Sequence, residues 1–279
     1  MSTKKELPIG IFDSGVGGLT VVRQIHRVLP REDLVYLGDT ARVPYGTKSP
    51  STVVRFACED TQFLIQRHVK AVVVACNTAS AWALPVLEQK FDIPVFGVII
   101  PGVQAALSRT RNRRIGVIGT AATIRSQAYS LAILARDDSA KVFAGACPLL
   151  VPLVEEGWTN HKITHDILRT YLSPLLRRRI DTLVLGCTHY PLLRDAIRAL
   201  AGKGVALVDS AESCARFLGD QLMAEGLLSR GRRRVGTIQP FVTDEVERFD
   251  ELARRFLGFP TAPAWKVELS AMGSIETAG

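Results

Sequence analysis

The 279 residues carry 47% hydrophobic and 22% charged side chains, the composition of a soluble globular enzyme long enough for two modest domains rather than a disordered or fibrous chain. A formal charge of +8 comes with only 7% aromatic residues, so the Arg-rich clusters at 109–114, 177–179 and 230–234 lack the interleaved rings on which bases stack; they are read as solvated basic surface able to steer an acidic small molecule, with no nucleic acid required. Five cysteines, an odd number without a C-x-x-C pair, fit neither a disulfide framework nor a zinc ribbon. No apolar run approaches the roughly 18 residues of a membrane span, and nothing resembles a secretion signal at the N-terminus, which predicts a cytoplasmic protein in a reducing compartment.

In chain order, short apolar runs alternate with segments of helical period. Strands are expected at 9–13, 34–39, 71–76, 95–99, 114–119, 142–147, 182–187 and 205–209, with helices at 17–28, 51–68, 79–89, 103–109, 161–178, 192–200 and 212–225. A short strand at 240–243 and a helix at 244–256 close the pattern, and the stretch from Pro260 on lacks periodicity and reads as a loosely ordered tail. Such βα alternation builds parallel sheets, and there are too many strands for one sheet of ordinary width. The expected fold class is therefore α/β, with two similar parallel-sheet domains and the site in the cleft between them. Residues 1–99 and 209–260 form the first domain, 100–208 the second, and 261–279 the tail.

Several strands end on a polar or reactive residue: Asp13, Asp39, Cys76, Thr120 just beyond its strand, Cys187 and Asp209. Ligands of parallel α/β sheets bind outside the carboxyl ends of the strands, so these positions mark a cleft, although Asp39 and Asp209 read better as helix caps. The strongest signal is a repeated device. AVVVACNT at 71–78 and TLVLGCTH at 182–189 each run from an apolar strand through a small residue to a cysteine, and then to polar residues opening a helix. One buried cysteine at a strand end is ordinarily an inert small hydrophobe. Two in the same setting suit the inversion of a carbon stereocentre, which needs a base on one face and an acid on the other. A thiol suits this if its pKa is lowered toward neutrality, and the helix N-terminus would supply part of that lowering, while its N–H groups, with Asn77, Thr78 and Thr188, could hold substrate carboxylates. Asp13 is the proton-handling neighbour expected for Cys76, and His189 for Cys187. The turn DSGVGGLT at 13–20 contains G-x-G but has Thr20 where the dinucleotide fingerprint needs glycine, and is read as a turn admitting close approach of a small ligand.

Taken together, IGIFDSGVGGLTV at 9–21, YLGDTARVPYGTKS at 36–49, VVACNTASA at 73–81, IGVIGTAAT at 115–123, CPLLVPLVEEG at 147–157 and LVLGCTHYPLL at 183–193 resemble the glutamate racemases of the aspartate/glutamate racemase superfamily. The resemblance runs from Ile9 to about Leu257 and leaves the tail uncovered. It implies interconversion of L- and D-glutamate for peptidoglycan synthesis with no metal or other cofactor, in a protein that is commonly a homodimer. It further implies that Cys76 takes the proton from D-glutamate and Cys187 from L-glutamate, with Asp13 assisting the first, His189 the second, and Glu155 close to Cys187. Substrate contacts fall to Asp13, Ser14, Tyr45, Gly46, Asn77, Thr78, Thr188 and His189, with Thr120 and Thr123 lining the cleft. Racemisation of aspartate, and ligand binding without catalysis, are the rival readings.

Overall fold

The structure, a computed structural model, describes residues 4–229 and 234–269. Ten strands are present among them: β1 (Ile9–Asp13), β2 (Leu34–Gly38), β3 (Ala71–Val74), β4 (Val95–Gly97), β5 (Arg114–Gly119), β6 (Lys141–Ala146), β7 (Thr182–Gly186), β8 (Ala206–Asp209), β9 (Ile238–Val242) and β10 (Trp265–Lys266). They form two sheets, ordered β10-β9-β2-β1-β3-β4 and β6-β5-β7-β8, in which each paired strand runs parallel to its neighbour. The interior strands β1 and β7 are buried along their whole length, so IGIFD and TLVLG read as continuous apolar runs rather than alternating ones.

Both sheets repeat one plan. In each, the second strand lies on one side of the first (β2 beside β1, β6 beside β5) and the third on the other (β3 beside β1, β7 beside β5). The strand order therefore reverses between β1 and β3 and again between β5 and β7, and crevices open at such reversals beyond the strand ends. Asp13 and Cys76 stand at the first reversal, Thr120 and Cys187 at the second. After β8 the helix Ser210–Ala224 packs against Leu19–Val28 of the first half, and β9 then pairs with β2 in the register Leu34↔Ile238. No helix among the described residues is long and apolar enough to cross a membrane.

The structure corrects several sequence expectations. The stretch after Pro260 is not all loose: Trp265 pairs with Phe241 as an edge strand, the Val267 N–H donates to the Val242 carbonyl at 2.9 Å, and Val267 and Leu269 pack on the core. A two-residue strand is too short to leave a period in the sequence; residues 270–279 of the expected tail lie outside the described residues. The strand expected to reach Ile99 stops at Gly97, because Ile99 begins the helix Ile99–Arg109. Pro101 fits in that first turn, where its missing N–H has no partner to lose. The helix expected at 79–89 begins at Asn77 and divides at Ala83 into Asn77–Trp82 and Leu84–Lys90, Pro85 opening the second piece. Short helices at Ala121–Arg125, Ala128–Leu134 and Leu150–Glu155 were not foreseen, each too brief to show helical periodicity.

Of the basic clusters, residues 230–233 lie outside the described residues, and Arg234 pairs with Asp33 at 3.0 Å. Arg114 and Arg178 place their guanidinium groups 5.2 and 5.7 Å from the centre of the Phe143 ring, which gives part of the other two clusters a packing role.

Candidate active site

Beyond β3 the chain turns through Cys76, which caps the N-terminus of the helix Asn77–Trp82 from an extended backbone conformation. Its sulfur makes no capping hydrogen bond to that helix, although the nearby Ala79 N–H and Ser14, whose Oγ lies 3.8 Å away, favour the thiolate. These contacts do not bring the thiol toward neutrality: burial and the charge of Asp13 push its pKa up to about 12, so Cys76 rests as a protonated thiol. Asp13, at the end of β1, is fully buried. Its Oδ2 accepts from the Gly15 N–H at 3.2 Å, while Oδ1 has no hydrogen-bond partner among the described residues. Burial raises the Asp13 pKa, and His189 opposes the rise.

Cys187 follows β7 but does not cap an α-helix. A turn through Thr188 and His189 leads to a short 3-10 helix, Tyr190–Leu193, before the α-helix Arg194–Ala201 begins. The two cysteine motifs are thus alike in strand and cysteine and unlike in the segment each cysteine opens. The Cys187 sulfur lies 3.9 Å from His189 Nδ1, and His189 Nε2 lies 2.8 Å from Glu155 Oε1 at the end of Leu150–Glu155. Burial would drive the His189 pKa down, but hydrogen bonds to Cys187 and Glu155 and their charges override it and raise it to about 10. His189 is therefore an imidazolium at neutral pH. The ring of Phe256 meets it edge-on at 5.2 Å.

Close contacts join the two halves. Thr20 Oγ1 donates to the Thr188 carbonyl at 2.8 Å, and Thr78 Oγ1 lies 2.9 Å from Thr120 Oγ1 and 3.1 Å from Thr123 Oγ1. A Cβ on Gly17 would stand 2.3 Å from Thr188 Oγ1 and 2.4 Å from His189 Cε1, and one on Gly46 would stand 2.8 Å from Thr120 Cβ. The glycine-rich turn is thus a close-packing surface between the halves rather than a bed for phosphate.

Between the strand ends lies a narrow cavity of about 40 Å³. Ser14, Tyr45, Gly46, Cys76, Asn77, Thr78, Thr120, Cys187, Thr188 and His189 line it, so most of the sequence-predicted site residues come together. Asp13, Glu155 and Thr123 do not line it: Asp13 is fully buried, Glu155 sits behind His189, and Thr123 is buried against Thr78 and Thr120. The sequence reading passed over Val43, Pro44 and Val151, which also face the cavity. Val151 belongs to the unforeseen helix Leu150–Glu155, and the CPLLVPLVEEG stretch was its only signal.

Tyr45 is anchored from outside the cavity. Its hydroxyl donates to Asp39 Oδ2 at 2.5 Å and lies 2.9 Å from Asp60 Oδ2, while Arg42 spans Asp39, Glu59 and Asp60. Burial and the neighbouring Asp39 raise the Asp60 pKa against the pull of Arg42. Asp39 is consequently not the helix cap expected of it: its carboxylate serves Arg42, Tyr45 and, at 3.0 Å, Thr243. Asp209 does cap its helix, accepting from the Ala211 N–H at 2.9 Å. Among the described residues, no group of three His, Cys, Asp or Glu side chains is arranged to hold a metal ion.

A pocket of hydroxyls, one amide and two thiols, backed by a buried carboxylate on one side and an imidazolium on the other, can bind a small polar anion and exchange protons with it. Comparison with known proteins agrees with that chemistry. The family model described as Asp/Glu/Hydantoin racemase matches residues 9–218. A glutamate racemase from Geobacter metallireducens is 52% identical over 263 residues, covering 94% of this chain and 97% of that protein. Among solved structures, a glutamate racemase isoform from Bacillus anthracis superimposes with a TM-score of 0.91 at 42% identity, covering 95% of this chain and 98% of that one. The Francisella tularensis glutamate racemase, crystallised with D-glutamate, gives 0.88 at 38% identity, covering 96% of this chain and all of that one. The chain belongs to the Asp/Glu/hydantoin racemase family.

Proposed function

We propose that the chain is a glutamate racemase that interconverts L- and D-glutamate by a two-base mechanism and so provides D-glutamate for peptidoglycan synthesis. The observation that carries this reading is the meeting of Cys76 and Cys187, each at the end of the third strand of its own sheet, on one cavity. From L-glutamate, Cys187 as thiolate takes the α-proton and the Cys76 thiol gives its own proton to the opposite face. Cys187 ends protonated and Cys76 ends as thiolate, the proton inventory from which D-glutamate runs the reverse reaction. The high pKa of Cys76 supports its role as the resting donor, and Asp13, close enough to perturb that thiol, is placed to carry its proton afterward. On the other side the His189 imidazolium, held by Glu155, has no nitrogen free to accept a proton and instead places a positive charge beside the Cys187 thiolate. The N–H and O–H groups of Ser14, Asn77, Thr78 and Thr188, with Tyr45–Gly46 as the facing wall, hold the carboxylates and oppose the charge that develops beside the α-carbon.

The experiment is a side-by-side assay of L-glutamate and L-aspartate in D₂O, following optical rotation and α-deuterium together. Inversion of glutamate with one deuterium acquired per inversion is expected. Turnover of aspartate alone would remove the glutamate assignment, and binding without deuterium uptake would reduce the protein to a ligand carrier.

A further inference from the structure

Asn77 is the one side-chain amide on the cavity wall, and which of its ends faces the ligand decides whether it donates or accepts a hydrogen bond there. Its Oδ1 accepts from the hydroxyl of Tyr129 at 2.7 Å. Its Nδ2 lies 3.5 Å from Ser210 Oγ, which in turn donates to the Leu185 carbonyl at 3.1 Å. The direction of this chain is fixed at its far end, since a carbonyl can only accept: Ser210 gives its proton to Leu185 and is left to accept from Asn77. Tyr129 then fixes the near end, because burial keeps the phenol protonated and therefore able to donate.

Tyr129 is almost fully buried and comes from the unforeseen helix Ala128–Leu134, outside every motif that pointed to the site. Its ring lies against the other cysteine motif: a Cβ on Gly186, the residue before Cys187, would come within 3.1 Å of Cε2, and one on Gly102 within 3.3 Å of Cε1. One side chain therefore packs on the strand that delivers Cys187 and hydrogen-bonds the residue next after Cys76.

We infer that Tyr129 is a positioning residue for racemisation, locking the Asn77 amide with its oxygen turned away and an Nδ2 proton free for the substrate carboxylate. The inference rests on the proposed role of Asn77 as a substrate contact. Without the phenolic proton the amide has no buried donor to satisfy Oδ1 and gains by turning that oxygen toward the cavity, where it would oppose a carboxylate.

The test is a double-mutant cycle of Tyr129→Phe and Asn77→Ala, with KM, kcat and thermal midpoint measured for both enantiomers. Tyr129→Phe keeps the ring and its packing, and is expected to raise KM about tenfold in both directions, the scale of one hydrogen bond to a charged group, with kcat changed less than about twofold. In the Asn77→Ala background the same substitution should have no further effect on KM. A Tyr129→Phe enzyme with unaltered KM, or one whose defect persists undiminished without Asn77, overturns the inference while leaving Asn77 as a contact. Unaltered KM and kcat in Asn77→Ala alone would instead show that the underlying role of Asn77 is wrong. If Tyr129→Phe fails to fold, Ser210→Ala takes its place with the opposite expectation: the phenol still holds Oδ1, so KM should change less than about twofold, and a tenfold rise would show that Ser210 rather than Tyr129 sets the amide.

Discussion

Gly17→Ala adds one methyl group at the point where the first half of the molecule touches the second. Gly17 has no positive φ, so alanine meets no backbone penalty and the effect is one of space alone. The new Cβ would sit 2.3 Å from Thr188 Oγ1 and 2.4 Å from His189 Cε1, against an ordinary contact of at least 3.4 Å, so something must move by about 1 Å. Neither neighbour yields easily: the Thr188 carbonyl is held by Thr20 at 2.8 Å, and His189 is held by Glu155 at 2.8 Å and backed by Phe256. Overpacking of this kind costs about 1–3 kcal/mol in stability, which a domain can survive. A displacement of about 1 Å at a proton-transfer site costs on the order of a hundredfold in rate. The two enantiomers have equal free energy, so kcat/KM must fall by the same factor in both directions, and either can be followed by circular dichroism alongside a melting curve. A folded Gly17→Ala protein with kcat/KM within about threefold of the parent would refute the close-packed role assigned to the turn.

Three further substitutions probe the proton path. Glu155→Gln removes one of the charges that hold the His189 pKa at about 10, so burial weighs more, the pKa falls, and the alkaline limb of the kcat/KM profile moves to lower pH; a superimposable profile would contradict the coupling. Because that pKa is raised above its ordinary 6.5, the imidazolium contributes stability in full below pH 6.5 and loses it as pH rises through about 10; the parent's melting temperature should decline over that window more than the variant's. Cys76→Ala and Cys187→Ala should each lower racemisation by about three orders of magnitude or more with the fold intact, and near-parental turnover by either protein would end the two-base scheme.

The parts of this molecule that were legible in the sequence are those with a strong period or a repeated chemistry. The strands β1 and β5 fall within the bounds expected from their apolar runs, and the duplicated strand-to-cysteine device led to both halves of the cavity. Less legible were contacts that only tertiary packing creates. The Asp39 carboxylate is drawn from capping into the Arg42 and Tyr45 cluster because burial leaves an acid seeking donors, and no local pattern announces that. The environment of Cys76 was read with the wrong sign: the helix N-terminus does favour the thiolate, but the depth of burial and the nearness of Asp13 outweigh it. Tyr129 lies about fifty residues from the amide it fixes, in a helix too short to see, with nothing in its neighbourhood to mark it.

The most direct test of the two-base account is an experimental structure of this chain with D-glutamate in the cavity. The account predicts the α-carbon between the Cys76 and Cys187 sulfurs, each at about 3.5 Å and on opposite faces, with a carboxylate against Asn77. Both sulfurs on one face of the bound amino acid, or one of them beyond reach of the α-carbon, would contradict it.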